Sequence, residues 1–227
     1  MHPKPLLSLQ KVSKHFSIGR NPLPVLENIS LDLYEEEWIG LMGSSGSGKT
    51  TLLSLIAGLE KPSSGEILWK GKKLFYFLDI YPAYLRNHAF GFIFQDYRLL
   101  PSESVWNNIL LPLRIRGWYT REDVQRAEWL LEEVNLTSYR HQKTGLLSGG
   151  QQQRLAIVRA LVGKPKLLLA DEALANLDED TAEEVINLLK KIKKYQGFAM
   201  ILVHHQKKFN KHCDRSYLLQ KGRLVEL

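Results

Sequence analysis

At 227 residues and 44% hydrophobic content the chain can bury a sizeable core and fits one domain carrying a smaller lobe. Its single cysteine, Cys213, excludes an internal disulfide and a cysteine-built metal cluster, which points to a reducing cytosol and to a half-buried filler role for the thiol. The net charge of +7 does not imply a nucleic-acid partner, because the lysines gather at Lys190, Lys191, Lys193 and Lys194 and again at Lys207, Lys208 and Lys211, spacings that suit solvated helix faces near the C-terminus.

The opening MHPKPLLSLQ lacks the basic start, apolar stretch and small-residue cleavage site of a secretion signal. No later window approaches the roughly eighteen uninterrupted apolar residues of a membrane span, so any role at a membrane is expected to run through another subunit. Strands are predicted from Leu7 to His15, through the alternating Ile29, Leu31 and Leu33, and from Trp38 to Met42. The turn GSSGSGK follows, then the helical run TTLLSLIAGL, which Gly58 and Pro62 end. A strand from Glu66 to Trp69, an illegible stretch from Leu74 to His88 and the apolar run Phe90 to Phe94 lead to Gln95. Thr120, Val124, Ala127, Leu130, Leu131 and Val134 have helical spacing, and Ser148 opens a helix carrying Leu155, Val158, Leu161 and Val162. The region of about 96–162 therefore reads as a helical subdomain inserted in an α/β sheet. Short buried strands at Leu167 to Ala170 and Ala199 to Val203, separated by a helix from about Glu179 to Tyr195, give the alternation of parallel βαβ units.

Gly43, Ser44, Ser45, Gly46, Ser47, Gly48, Lys49 and Thr50 spell the full G-x-x-x-x-G-K-[ST] pattern between a predicted strand and a predicted helix, with Thr51 next. Such a loop turns successive N–H groups and a helix N-terminus towards one phosphate. Lys49 should reach the β and γ phosphates of a nucleotide, and the Thr50 hydroxyl should bind Mg2+. In KLLLADEALANLD, Asp171 and Glu172 follow four apolar residues and so emerge at the C-terminal end of a buried strand, where α/β sheets hold ligands. Asp171 would hold Mg2+ and Glu172 would orient or deprotonate the attacking water; a helix cap is the plain alternative for the pair. LSGGQQQR places Ser148, Gly149 and Gly150 at a helix start, either a second anion site or simply a turn.

Over nearly its whole length the chain resembles the ATP-binding subunits of ABC transporters: the phosphate loop, LSGGQQQR and LLLADE occur in that family's order and approximate spacing. The resemblance implies a P-loop NTPase fold of the ABC type, with a mixed, largely parallel core sheet, an N-terminal antiparallel β part and the inserted helical subdomain. It implies an ATPase using ATP and Mg2+, working as a dimer in which Ser148, Gly149 and Gly150 bind the nucleotide held by the partner's phosphate loop. It also implies an integral membrane permease as partner, with a second ATPase subunit, expected to be a second copy of the chain, and a cytoplasmic place on the inner face of the cell membrane. By the same likeness Gln95 contacts Mg2+ or the attacking water, Asp178 couples the two sites, His205 senses the γ-phosphate and Phe16 stacks on adenine. Plain structural roles stand beside each: a loop polar group, a helix cap, a strand-end polar group and a core aromatic.

Four positions depart from the family pattern. Ala173 and Leu174 follow Glu172 where a proline and a small hydroxyl residue are usual, Phe16 replaces a usual tyrosine, and His204 stands where threonine is common, beside His205. The run FGFIFQDYRLLPSESVWNNILLPL, the NLD segment and the short end GRLVEL resemble the group containing lipoprotein-release, macrolide-export and cell-division ATPases. That likeness implies extrusion or release of a lipoprotein, lipid or peptide, with regulation of a wall hydrolase in cell division as the alternative. A non-transport ABC protein acting on ribosomes or DNA would carry two nucleotide domains, zinc cysteines or long coiled coils, and these are missing from the sequence.

Overall fold

The computed structural model describes residues 4–18, 21–74, 80–175 and 177–227. The first three residues of the opening segment, residues 75–79 of the illegible stretch and Asn176 of the ANLD run lie outside the described residues. The chain divides into two compact units, Met1–Arg86 with Phe198–Leu227, and Asn87–Gly197.

In the first unit, β1 (Leu7–Ile18) and β2 (Asn21–Leu33) form an antiparallel pair, joined by β4 (Ser64–Trp69) and β5 (Lys72–Lys73) into a four-stranded sheet of order β2-β1-β4-β5. Ile29, Leu31 and Leu33 of β2 alternate inward as their spacing demands, and Leu7, Leu9 and Val12 of β1 are buried with them. The second layer centres on β3 (Trp38–Met42), whose five residues are all buried. It is flanked in parallel by β8 (Ala199–Val203) and β9 (Arg215–Gln220), and β10 (Arg223–Glu226) pairs antiparallel with β9. Unbroken apolar runs are what strands covered on both faces require. The helix predicted after the glycine turn is α1 (Lys49–Ile56), and Gly58, at φ +67°, accepts a hydrogen bond on its carbonyl from the Arg86 guanidinium.

The illegible stretch ends in α2 (Ile80–His88), within which the first unit gives way to the second. The second unit contains the parallel pair β6 (Phe90–Ile93) and β7 (Leu167–Ala170) and the helices α3 (Val105–Ile115), α4 (Arg121–Glu133), α5 (Gly149–Leu161) and α6 (Glu179–Gln196). Thr120 closes a capping box with Asp123 at the start of α4, and Ser148 does the same with Gln151 at the start of α5. Helix α5 is buried on nearly all sides in its second half, and Leu155, Ile157, Val158 and Leu161, fully buried, contribute about 1.5–3 kcal/mol each. Of the two lysine groups, Lys190 to Lys194 lie on α6 as expected. Lys207, Lys208 and Lys211 lie on a 3-10 turn, Lys207–His212, rather than on an α-helix. Among the described residues no helix is long and apolar enough to cross a membrane.

Candidate functional site

Each unit presents functional side chains at the C-terminal ends of its parallel strands. In the first unit β3 and β8 run in register, Leu41 opposite Val203, so the turn after β3 and the histidines after β8 leave the sheet on the same edge. The His204 N–H donates to the Leu41 carbonyl at 3.2 Å, which fixes that proximity.

The turn after β3 is the predicted phosphate loop. Gly46 and Gly48 adopt φ +75° and +103°, in the left-handed region that glycine enters without penalty. A side chain at Gly48 would also meet Val25 and Leu26 of β2 at 3.1 Å, and one at Gly43 would meet the Leu219 carbonyl and the Ser47 hydroxyl at 2.6 Å. At Gly46 it would meet nothing within 4 Å, so that point is open. Ser44, Ser45 and Thr50 are exposed and Thr51 is half-buried. Lys49 is 4% exposed, with Nζ donating to the Gly43 carbonyl at 3.1 Å and the Ser44 carbonyl at 3.0 Å, so the ammonium is held inside the loop. No side chain caps α1, and Ser47 Oγ is buried without a hydrogen-bond partner. An uncapped helix start, a confined cation and an orphaned hydroxyl form a donor set that fits the phosphates of a nucleotide. Phe16 lies on β1, 37% exposed, with Lys14 Nζ 4.7 Å from its ring centroid. It sits two residues beyond Lys14, which pairs with the same Leu26 that packs near Gly48.

The adjacent histidines have opposite environments. His205 is exposed, whereas His204 is 3% exposed and stacks edge-on to Phe209 at 5.9 Å. Gly40 makes room for it: a Cβ there would lie 3.0 Å from His204 Nε2 and 2.9 Å from Ser216 Oγ. Both ring nitrogens are buried, and that burial, opposed only in part by the Gln206 backbone, lowers the pKa from 6.5 to about 4. Below pH 6.5 the unfolded chain therefore binds a proton that the folded chain refuses. The stability that a neutral His204 permits is complete above pH 6.5 and is lost as pH falls towards 4, by about 3 kcal/mol. Urea unfolding at pH 7, 5.5 and 4.5 should show this slope in the parent and a shallower one in His204→Thr; parallel profiles would remove His204 as the cause.

In the second unit β6 and β7 are parallel, Ile93 opposite Ala170, and the Asp171 N–H donates to the Ile93 carbonyl at 2.9 Å. Gln95, exposed just beyond β6, therefore shares a sheet edge with the half-buried Asp171 and Glu172. Glu172 has φ +50°, the left-handed region, and its turn is closed by the Ala175 N–H donating to the Glu172 carbonyl at 3.0 Å. Ala173 and Leu174 are 6% and 2% exposed, which gives the departure at these two positions its reason: they pack inward. Ser148, Gly149 and Gly150 stand elsewhere, at the start of α5. A Cβ on either glycine would meet nothing within 4 Å. Nothing in this chain's own packing thus requires glycine there, although each glycine costs a helix about 1 kcal/mol relative to alanine. Asp178 caps α6, its carboxylate accepting from the Thr181 hydroxyl at 2.7 Å and the Thr181 N–H at 2.9 Å, and these bonds lower its pKa.

Two residues with no signal in the sequence serve the same edge. The buried Arg159 of α5 donates to the carbonyls of Arg98 at 2.6 Å and Tyr97 at 2.5 Å, clamping two successive left-handed residues, φ +47° and +58°, in the turn after Gln95. Gln153 of α5 donates to the Ala173 carbonyl. In the sequence both look like ordinary polar positions of a helix.

The family model described as "ABC transporter" matches residues 26–175. The chain is 40% identical to the lipoprotein-releasing system ATP-binding protein LolD of Geobacter metallireducens, over 97% of this chain and 98% of that protein. It is 38% identical to the protein of the same description from Rickettsia bellii, over 96% and 97%. Among solved structures, the dimeric post-hydrolysis state of the ATP-binding cassette MJ0796 bound to ADP and Pi superposes with a TM-score of 0.88 at 34% identity, covering 97% of both chains.

Proposed function

The chain belongs to the ABC transporter family, and on that premise we propose that it is the ATP-binding, ATP-hydrolysing subunit that drives a separate integral membrane permease to release or extrude a lipoprotein, lipid or peptide. The observation that carries the ATP-sandwich part of this reading is the bare first turn of α5, where Gly149 and Gly150 face open space. A glycine pair that its own chain does not need suits a second molecule that comes close to the backbone. The dimeric, ADP- and Pi-bound state of the structural relative supports pairing of two copies, and end-to-end identity with lipoprotein-releasing ATP-binding proteins supports the cargo class.

In this reading the whole chain is one nucleotide-binding domain whose helical subdomain, about 96–162, passes motion to the permease. The loop Gly43 to Thr51 cradles the phosphates, Lys49 binds the β and γ groups, and Phe16 stacks on adenine through the ring alone. Thr50, Gln95 and Asp171 would hold Mg2+, which would neutralise phosphate charge when bound. Glu172 accepts the proton of the attacking water, and exposed His205 donates a hydrogen bond towards the γ-phosphate. Ser148, Gly149 and Gly150 of the second copy close the site, and Asp178 couples the two sites. The subunit sits peripherally on the cytoplasmic side of the cell membrane through its permease.

Capture of the tagged chain from membranes of its source cells, followed by mass spectrometry, tests the transporter assignment. The expected co-purifying protein has few membrane spans and a large extracytoplasmic domain. An importer permease accompanied by a solute-binding protein, or ribosomal partners in its place, would end the release reading.

A further inference from the structure

Gln153 is 1% exposed, on a stretch of α5 that is buried on nearly all sides, with Leu155, Ala156, Ile157 and Val158 following it. An amide buried there must find partners or cost about 1–3 kcal/mol for each unmet group. Its Nε2 donates to the carbonyl of Ala173, the residue after Glu172. The turn it reaches is an unusual one. The φ of +50° at Glu172 costs a non-glycine residue about 1–2 kcal/mol, and Ala173 and Leu174 bring no proline ring to stiffen the turn. From these contacts we infer that Gln153 is a positioning residue for Glu172, the amide link through which the start of α5 sets the orientation of the carboxylate. The inference rests on the reading of Glu172 as the group that activates water.

Gln153 lies on the second turn of the helix that Ser148 caps, so nucleotide docking on Ser148, Gly149 and Gly150 bears on the helix that holds Ala173. The same helix segment lines a 120 Å3 cavity with the start of α6: Gly150, Gln153, Arg154, Thr181 and Glu184 are on its wall. Thr181 is the residue that bonds the Asp178 carboxylate. Gln153 Oε1 and Arg154 Nε are buried without a hydrogen-bond partner, so this junction is polar and a shift of one wall changes the surroundings of the amide that holds Ala173. Closure around one ATP is thereby felt at the carboxylate that acts on the other.

Two near-isosteric variants test this. Gln153→Met keeps the volume and removes the donor; kcat for ATP hydrolysis should fall at least tenfold with KM for ATP within twofold of the parent, since nucleotide contacts are untouched. Gln153→Glu can donate to the Ala173 carbonyl only when protonated. A buried carboxyl gains its proton as pH falls, so kcat relative to the parent at the same pH should rise as pH is lowered. A packing role would leave that ratio flat. Gln153→Met with kcat within twofold of the parent, or a flat ratio in Gln153→Glu, would overturn the inference. Rapid turnover by Glu172→Gln would instead strike at the reading of Glu172 itself.

Discussion

Glu172→Gln should bind ATP with an affinity within about twofold of the parent and hydrolyse it at least a hundredfold more slowly, accumulating as a nucleotide-bound dimer. The substitution exchanges one carboxylate oxygen for an amide of the same size, so the half-buried side chain keeps its volume and its left-handed backbone. What disappears is the capacity to take a proton from water, an effect worth about 10²–10⁴ in rate for a well-placed general base. Phosphate binding is assigned to different residues, Lys49 and the loop glycines, which the change does not reach. Asp171 and its bond to the Ile93 carbonyl also remain. Stopped-flow nucleotide binding, phosphate release and sedimentation velocity together give the three readouts. Continued fast phosphate release would show that the carboxylate is not the base, and failure to bind ATP would show that it belongs to the phosphate cradle.

The parts of this site that can be read from the sequence are those in which local chemistry and global role coincide. Gly46 and Gly48 are needed both by the backbone and by the guest, and Ser148 is both a cap and part of the LSGGQQQR motif, so the turn at each helix start is written in residue types. Helix α4 is equally plain, because Thr120 and Asp123 form a capping box ahead of an amphipathic run. Helix α3 is not, since Pro112 in its interior reads as a breaker, and its start is marked only by Ser104 bonding the Asn107 N–H. The β9–β10 hairpin escapes notice for a related reason. Its turn is Lys221-Gly222, both at positive φ as a type I′ turn requires, and lysine is not a residue that announces that conformation. Spacing does not settle which of His204 and His205 faces the core, because every residue of β8 is buried and the strand carries no alternation to extend. The clamps supplied by Gln153 and Arg159 depend on contacts across 20 and about sixty residues of chain, where a polar residue in QQQR looks like any solvated helix position.

Lys49→Ala should lower ATP affinity by at least a hundredfold. The ammonium is confined by burial and by its bonds to the Gly43 and Ser44 carbonyls, so it already stands in the loop before nucleotide arrives and little further ordering is needed. Two charge-assisted hydrogen bonds to phosphate at about 1.5–3 kcal/mol each, lost together, correspond to roughly 10²–10⁴ in affinity. The competing effect is on the fold. Removing the side chain leaves two loop carbonyls to water and trims a buried aliphatic stem, a loss of about 1–2 kcal/mol that lowers the melting temperature by a few degrees. Binding should thus collapse while the unliganded protein still unfolds cooperatively near the parent's temperature. ATP titration by fluorescence alongside a thermal scan separates the two: unchanged affinity would remove Lys49 from the phosphate site, and a melting temperature lowered by tens of degrees would make the ammonium chiefly a structural strut of the loop.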